Sequence, residues 1–256
     1  MGGPVRLDVL LVQRGLAPSR ERAQALIVAG SVLVDGVPST KPGARVKPER
    51  DLRVSDGDPG WVGRGAHKLI GALDAFQIDP AGRICADFGA STGGFTEVLL
   101  TRGAPKVYAI DVGHNQLAWK LRSDPRVVVM EGTNARHLDG LPDPISLLVG
   151  DLSFISLKLI LPAIRRVLGP GADAVVLVKP QFEAGRQAIA KGGRVRDDKD
   201  RDAAITRVRD DAATEGFAVR AGVDCVLPGA RAGNVEHFLW LNLGPSPEGL
   251  AGSRDG

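Results

Sequence analysis

Four charged residues stand where a merely solvated charge is out of place. Lys179 follows five apolar residues, Ala174 to Val178, and immediately precedes Pro180. Asp151 closes an earlier apolar run and opens Asp151-Leu152-Ser153-Phe154. Lys68 lies in Gly65-Ala66-His67-Lys68-Leu69, and Glu236 in Gly233-Asn234-Val235-Glu236-His237. An amine in such company can accept a proton, and carboxylates can orient it. Taken one at a time, each is equally a partner in an ordinary surface ion pair. A second group has the types for ligand binding: Asp87-Phe88-Gly89-Ala90-Ser91-Thr92-Gly93-Gly94-Phe95 runs from a strand into a helix. Glycines there let backbone approach a ligand, and a helix N-terminus follows. The Gly-x-Gly-x-x-Gly dinucleotide spacing is absent. An acidic strand end before this loop suits a cationic or zwitterionic ligand better than a pyrophosphate. Asp111, ending the next strand, is placed to accept from two ribose hydroxyls.

These residues need a scaffold that brings them together. Strand patterns over 83–88, 106–110, 127–130, 145–150 and 174–178 alternate with helical ones, clearest over 95–101 and 157–167. That alternation predicts a mostly parallel sheet covered by helices. A charged helix near 197–214 precedes two late strands, 217–226 and 235–243, expected as an antiparallel pair at the sheet edge. An open α/β sheet gathers ligands beyond the carboxyl ends of its strands. Asp151 and Lys179 both emerge there, and so do Asp111 and Asn134.

The first fifth of the chain reads differently. Leu7, Leu10 and Leu11 have helical spacing in a run starting at Arg6, and Gly15 stops it. Ser19 is an N-cap for a second helix with Ala23, Leu26 and Ile27 on one face and Gly30 at its end. Ser31 to Val37 contains an Asp35-Gly36 hairpin turn, and a further strand near Leu52 and Val54 closes a small sheet. Residues 1–54 carry nine Lys/Arg against five Asp/Glu, whereas the rest carries 24 against 25. The basic excess is therefore local, as a polyanion partner favours. The module resembles the S4 RNA-binding domain, most clearly in Ser19-Arg20-Glu21-Arg22-Ala23 and Val34-Asp35-Gly36. The expected division is an S4-like domain over 1–54, a linker over 55–60, a second domain over 61–244 and a polar tail over 245–256.

Composition bounds the rest. The chain has 256 residues, 43% hydrophobic and 25% charged, as in globular proteins generally. No apolar stretch approaches the roughly 18 residues of a membrane span, and the start shows no signal-peptide pattern. A cytoplasmic protein is expected. Cys85 and Cys225 are far apart in apolar segments, which excludes a disulfide framework and a cysteine-rich zinc site. The histidines show no ligand spacing, so no metal site is expected.

The second domain resembles S-adenosylmethionine-dependent methyltransferases in Asp87 to Phe95 and Asp111. Lys68, Asp151, Lys179 and Glu236 match the Lys-Asp-Lys-Glu tetrad of the FtsJ-related RNA ribose 2′-O-methyltransferases. With the S4-like module, the whole resembles the hemolysin A-like (TlyA) family. The resemblance implies a Rossmann-like α/β methyltransferase sheet preceded by an α+β S4 domain. It also implies S-adenosylmethionine as cofactor and methylation of ribosomal RNA cytidine at the 2′-oxygen, in the 30S or 50S subunit or both. The implied cofactor residues are Asp87, Gly89, Ser91, Thr92, Gly93, Gly94, Phe95, Asp111, Asn134 and Asp151. A free lysine is protonated at neutral pH, and a second lysine and a sulfonium nearby disfavour that form. Lys179 is accordingly read as the base, Lys68 as its tuning partner, and Asp151 and Glu236 as orienting groups. RNA contacts are expected from Arg6, Arg20, Arg22, Lys41, Lys47, Arg64 and Arg186, with the basic Gly-rich loop 182–195 either ordering on RNA or simply mobile. The alternatives are a membrane-lytic hemolysin-like protein and a non-catalytic ribosome assembly factor. Neither amine methylation, which shows an Asn/Asp-Pro-Pro-Tyr/Phe motif, nor carbon-5 methylation, which needs a nucleophilic cysteine, fits as well.

Overall fold

A computed structural model describes residues 3–28, 31–39, 41–54, 61–229 and 232–244. The expected helix stop at Gly30, the linker 55–60, the tail 245–256 and the Arg186 side chain lie outside the described residues. The chain divides into two compact units, Met1–Ala66 and His67–Gly256.

In the first unit, β1 (Val5–Arg6) leads into α1 (Leu7–Gln13) and α2 (Arg20–Val28). There follow β2 (Val32–Val34), β3 (Val37–Ser39), β4 (Arg45–Val46) and β5 (Leu52–Val54). The Ser19 hydroxyl accepts from the Arg22 N–H at 3.2 Å and so caps α2. Asp35 and Gly36 both have positive φ, +50° and +78°, the geometry of a tight hairpin turn between β2 and β3. β5 pairs with the other edge of β2. Leu7, Leu10, Leu11, Ala23, Ile27, Val32 and Leu52 form the core. One expectation is corrected: Arg6 is not the first helical residue but pairs with Arg45 across β1 and β4, so the helix starts one residue later.

The second unit builds a seven-stranded sheet from β6 (Ile84–Phe88), β7 (Lys106–Asp111), β8 (Val127–Glu131), β9 (Ile145–Gly150), β10 (Leu168–Val178), β11 (Phe217–Asp224) and β12 (His237–Leu243). The order is β11-β12-β10-β9-β6-β7-β8. β6 to β10 run parallel, while β12 is antiparallel to both its neighbours. The two late strands thus form the edge pair that their short connection predicted. Central β6 is followed in sequence by β7 on one side and bordered by β9 on the other. The connections diverge at that point, which is where open α/β sheets bind ligands, beyond the carboxyl ends of the strands. The helices are α3 (Gly65–Phe76), α4 (Gly94–Thr101), α5 (Trp119–Arg122), α6 (Leu161–Val167), α7 (Pro180–Glu183) and α8 (Asp198–Thr214). Phe88, Tyr108, Ile110, Leu148, Ile164, Val176, Val208 and Leu239 belong to one buried cluster against the sheet.

Two element boundaries depart from the sequence pattern. The single helix expected over 157–167 is a 3-10 turn at Leu157–Leu159 followed by α6, whose first turn holds Pro162. β10 starts at Leu168, not at Ala174, because it carries an irregularity between Leu168 and Asp173. Gly169, Pro170 and Gly171 lie inside that irregularity and read as loop in the sequence.

Candidate active site

The sheet topology assembles the four charged residues. Asp151 follows the last residue of β9, and Lys179 the last residue of β10. Val178 lies opposite His237 in the antiparallel β10–β12 pair, so Glu236 leaves the sheet on the same edge as Lys179. Lys68 comes from the first turns of α3. The Lys68 ammonium stands 2.5 Å from Glu236 Oε2 and 3.8 Å from Asp151 Oδ2. The other oxygen of Asp151 lies 2.6 Å from Lys179 Nζ. Lys179 also donates to the Ser153 hydroxyl at 2.7 Å. Glu236, Lys68, Asp151 and Lys179 thus form a chain of alternating charge, with Lys68, Lys179 and Glu236 only 5%, 8% and 3% exposed. Burial pushes the Lys68 ammonium down, but Asp151 and Glu236 outweigh it and hold its pKa above the ordinary value. Lys68 is therefore a fixed cation. Lys179 has one carboxylate and one neutral hydroxyl where Lys68 has two carboxylates.

The loop after β6 lies at the same edge. The Asp87 carboxyl is fully buried within β6, and its Oδ2 accepts from the Thr96 N–H at 2.9 Å and hydroxyl at 2.7 Å. Its Oδ1 has no hydrogen-bond partner among the described residues. Burial pushes the carboxyl up to about 7 against the pull of Thr96. Gly89 has φ +86°, and a Cβ there would stand 2.7 Å from the Asp151 carbonyl oxygen. Gly93, at φ +97°, packs against Leu117 and Leu121 in the same way. These two glycines bring the loop close to other backbone and to core side chains of the protein. Gly94 opens α4, and the Thr92 carbonyl accepts from Ala118 N–H at 3.1 Å. Phe95 is buried with its ring centroid 6.2 Å from that of Phe238.

Asp111 ends β7, and its two oxygens accept from the N–H groups of Ser91 at 2.8 Å and Gly113 at 2.7 Å. Asn134 caps a 3-10 turn at Ala135–His137 by accepting from the Arg136 N–H at 3.1 Å. Glu131, at the end of β8, escaped the sequence reading. It accepts from the N–H groups of Asn115, Gln116 and Leu117 and pairs with Arg122 at 2.7 Å. Its signature, an acidic residue closing Val127-Val128-Val129-Met130, is the one that marked Asp87 and Asp151.

The basic residues divide sharply. Asp8 is fully buried, and its carboxylate accepts from Arg6 at 2.9 and 3.0 Å, Arg20 at 3.1 Å and Gln24 at 2.8 Å. Arg6 first among these holds Asp8 well below the usual carboxylate range. Arg6 and Arg20 thus brace the first unit. Arg22, Lys41 and Lys47 are exposed and carry no ion pair among the described residues; Arg64 is half-buried. Segment 182–195 makes contacts within its own unit. Ile189 bridges to Val195, and buried Asn234 accepts from Val195 N–H at 2.9 Å while donating to the Gly193 carbonyl at 3.0 Å.

Comparison with known proteins places this geometry. Residues 61–242 match the FtsJ-like methyltransferase family and residues 5–52 the S4 domain. The 16S/23S rRNA (cytidine-2′-O)-methyltransferase TlyA of Mycobacterium tuberculosis is 51% identical over 94% of this chain and 91% of its own. The chain belongs to the TlyA family of FtsJ-like methyltransferases. Hemolysin A of Brachyspira hyodysenteriae is 41% identical over 92% of this chain and all of its own. A solved structure from Streptococcus thermophilus, of a protein that carries the name hemolysin, is 40% identical and superposes with TM-score 0.75 over 96% of this chain and 90% of that one. Like other members of this family, the chain is a methyltransferase with an S4 domain at its N-terminus. Among the described residues, no helix is long and apolar enough to cross a membrane.

Proposed function

We propose that the chain methylates the ribose 2′-oxygen of a cytidine in ribosomal RNA, taking the methyl group from S-adenosylmethionine, with the 30S or 50S subunit or both as substrate. The observation that carries the reading is Lys179, buried at the carboxyl edge and held by Asp151 and Ser153 beside the loop 87–95. It agrees with the reaction named for the Mycobacterium tuberculosis relative. On this reading an S4-like module over 1–54 and a linker over 55–60 precede a catalytic domain over 61–244.

The residues present fit the cofactor. Each Asp111 oxygen accepts one backbone N–H and keeps a lone pair for a ribose hydroxyl. Asp87 offers a carboxyl oxygen that still lacks a donor. The N-terminal turn of α4, with Ser91, Thr92, Gly93, Gly94 and Phe95 around it, lines that side, and Gly89, Asp151 and Asn134 the rest. When bound, the cofactor supplies a methyl carbon on a sulfonium, already activated for displacement by an oxygen nucleophile. What remains for the protein is alignment and proton removal. Lys179 takes the hydroxyl proton at Nζ. Asp151 orients Lys179 and links it to Lys68, and Glu236 keeps Lys68 in place and charged. Arg22, Lys41, Lys47 and Arg64, with Arg6, Arg20 and Arg186 as further candidates, position RNA through its phosphates.

The test is transfer of a labelled methyl group to purified 30S and 50S subunits by the wild type and Lys179→Ala, with the modified nucleoside identified. Recovery of 2′-O-methylcytidine, reduced about 10²- to 10⁴-fold in the variant as for loss of a general base, is expected. A different nucleoside, or a variant that retains full transfer, would overturn the reading.

A further inference from the structure

The ammonium of Lys179 has three positions beyond its carbon stem, each able to carry a proton or, once, a lone pair. Ser153 Oγ accepts along one of them at 2.7 Å, while Asp151 Oδ1 stands 2.6 Å away as the ion-pair partner. The aligned bond to Ser153 sets the directions of the remaining positions, one of which has to meet a substrate hydroxyl. We propose that Ser153 is a positioning residue for methyl transfer, one that fixes the direction in which Lys179 presents Nζ to the substrate hydroxyl. The proposal deepens the reading of Lys179 as the base and rests on it.

With Asp151 alone, Nζ could turn about one contact on a long, rotamer-rich stem. The aligned bond to Ser153 removes that freedom. A hydroxyl suits the place because it can accept from an ammonium and donate to a neutral amine. The contact therefore survives when the lysine changes protonation state during the reaction. A carboxylate at this point would hold only the charged form.

Ser153 is itself held. Phe154, directly after it, has φ +66°, a left-handed conformation that a bulky side chain adopts only where its surroundings impose it. The Phe154 and Phe182 rings lie 5.3 Å apart, which ties the segment after β9 to α7. Glu183 reaches back across the same gap, accepting from the Ser156 hydroxyl at 2.6 Å and the Leu157 N–H at 2.8 Å. The segments after β9 and β10 are thus tied to each other just beyond the Lys179–Ser153 bond. Ser153 itself is exposed, so its hydroxyl can be altered without opening the core.

The experiment measures kcat and KM for S-adenosylmethionine and ribosomal subunits with the full-length chain carrying S153A, S153C or S153T. Thermal midpoints are measured alongside. The alanine and cysteine variants are expected to lose about tenfold or more in kcat, as for a lost charge-assisted hydrogen bond, with both KM values within about twofold. The threonine variant keeps the hydroxyl and is expected to restore kcat to within about threefold. If S153A folds poorly, the nearly isosteric S153C carries the comparison. Wild-type kcat in S153A and S153C beside an inactive Lys179→Ala overturns the proposal but leaves the base assignment standing. A threonine variant as slow as the alanine one, or a loss that falls on KM, overturns it as well. Full transfer by Lys179→Ala overturns the base assignment itself.

Discussion

Two lysines with identical side chains sit among different neighbours. Lys68 stands between two carboxylates, at 2.5 and 3.8 Å, inside a pocket that leaves it 5% exposed. The desolvated ammonium persists only because both anions are there. Glu236→Gln removes the nearer one without changing shape. We expect it to cost about 3 kcal/mol of stability, the scale for breaking a buried ion pair, and to slow transfer while cofactor affinity stays near wild type. Urea unfolding and calorimetric titration check this, and an unchanged unfolding midpoint would contradict it. Asp87 presents the reverse situation. Its carboxyl titrates near 7 in the folded chain against an ordinary 3.8, so the native state keeps a proton that the unfolded chain has released. The stability attached to that proton is complete below about pH 4 and disappears as pH rises through about 7. Asp87→Asn should flatten the stability profile of the cofactor-free protein over that window. A variant that loses stability between pH 4 and 7 as steeply as the wild type would show that the carboxyl is solvated.

At the scale of elements, the strands of the larger sheet were readable because each is an apolar run ended by a charged or polar residue. The same signature pointed to Asp87, Asp111, Asp151 and Lys179. Elements without it were not readable. β1 and β4 are two residues each and exist only through pairing across forty residues of chain. The irregular start of β10 carries loop-like residues, and its pairing with β9 shifts register across them. Nothing local to Asp8 shows that Arg6, Arg20 and Gln24 converge on it. Glu131 had the right signature, but its work is done by backbone N–H groups of residues 115–117, which no sequence pattern displays. Burial pushes that carboxyl up, yet Arg122 and the three N–H groups bring it down to about 2 from 4.5. Its hold on the loop is therefore complete above about pH 4.5 and lost as pH falls through about 2. Glu131→Gln should loosen the loop at neutral pH. Faster amide exchange at 115–117 and cofactor binding weakened about tenfold, the equivalent of about 1.4 kcal/mol, are expected. Wild-type protection at those amides would remove the argument. Gly93→Ala attacks the same loop from the other side. Its Cβ would stand 2.8 Å from Leu117 Cδ1 and closer still to Leu121, at φ +97°. A stability loss of about 1–3 kcal/mol from overpacking is expected, read by thermal or urea unfolding.

For the whole molecule, the distribution of charge decides where RNA affinity arises. The chain beyond residue 54 carries 24 Lys/Arg against 25 Asp/Glu, so it has no excess with which to attract a polyanion at a distance. The first 54 residues hold nine Lys/Arg, but most are engaged within their own unit. Arg6 and Arg20 pair with Asp8, Arg50 with Asp35 and Arg53 with Asp51. Arg14 and Arg45 donate to backbone carbonyls of Arg50, Pro48 and Pro4. Arg22, Lys41 and Lys47 are left without an ion pair among the described residues. If these three neutralise phosphates, each releases condensed counterions and adds about 0.7–0.9 to the slope of log affinity against log salt. Replacing all three by alanine in the full chain should therefore flatten that slope by about two to three units. It should raise KM for the ribosomal substrate and leave kcat at saturation near wild type, because the tetrad is untouched. Arg20→Ala should do something different, since it withdraws a partner from buried Asp8. Unfolding of the S4 unit at lower denaturant is expected, with little change in slope. Affinities measured between about 50 and 200 mM salt separate the two classes. A triple variant with the wild-type slope would move the RNA-binding surface away from these residues. A flattened slope in Arg20→Ala would show that a side chain bracing the fold also reaches RNA.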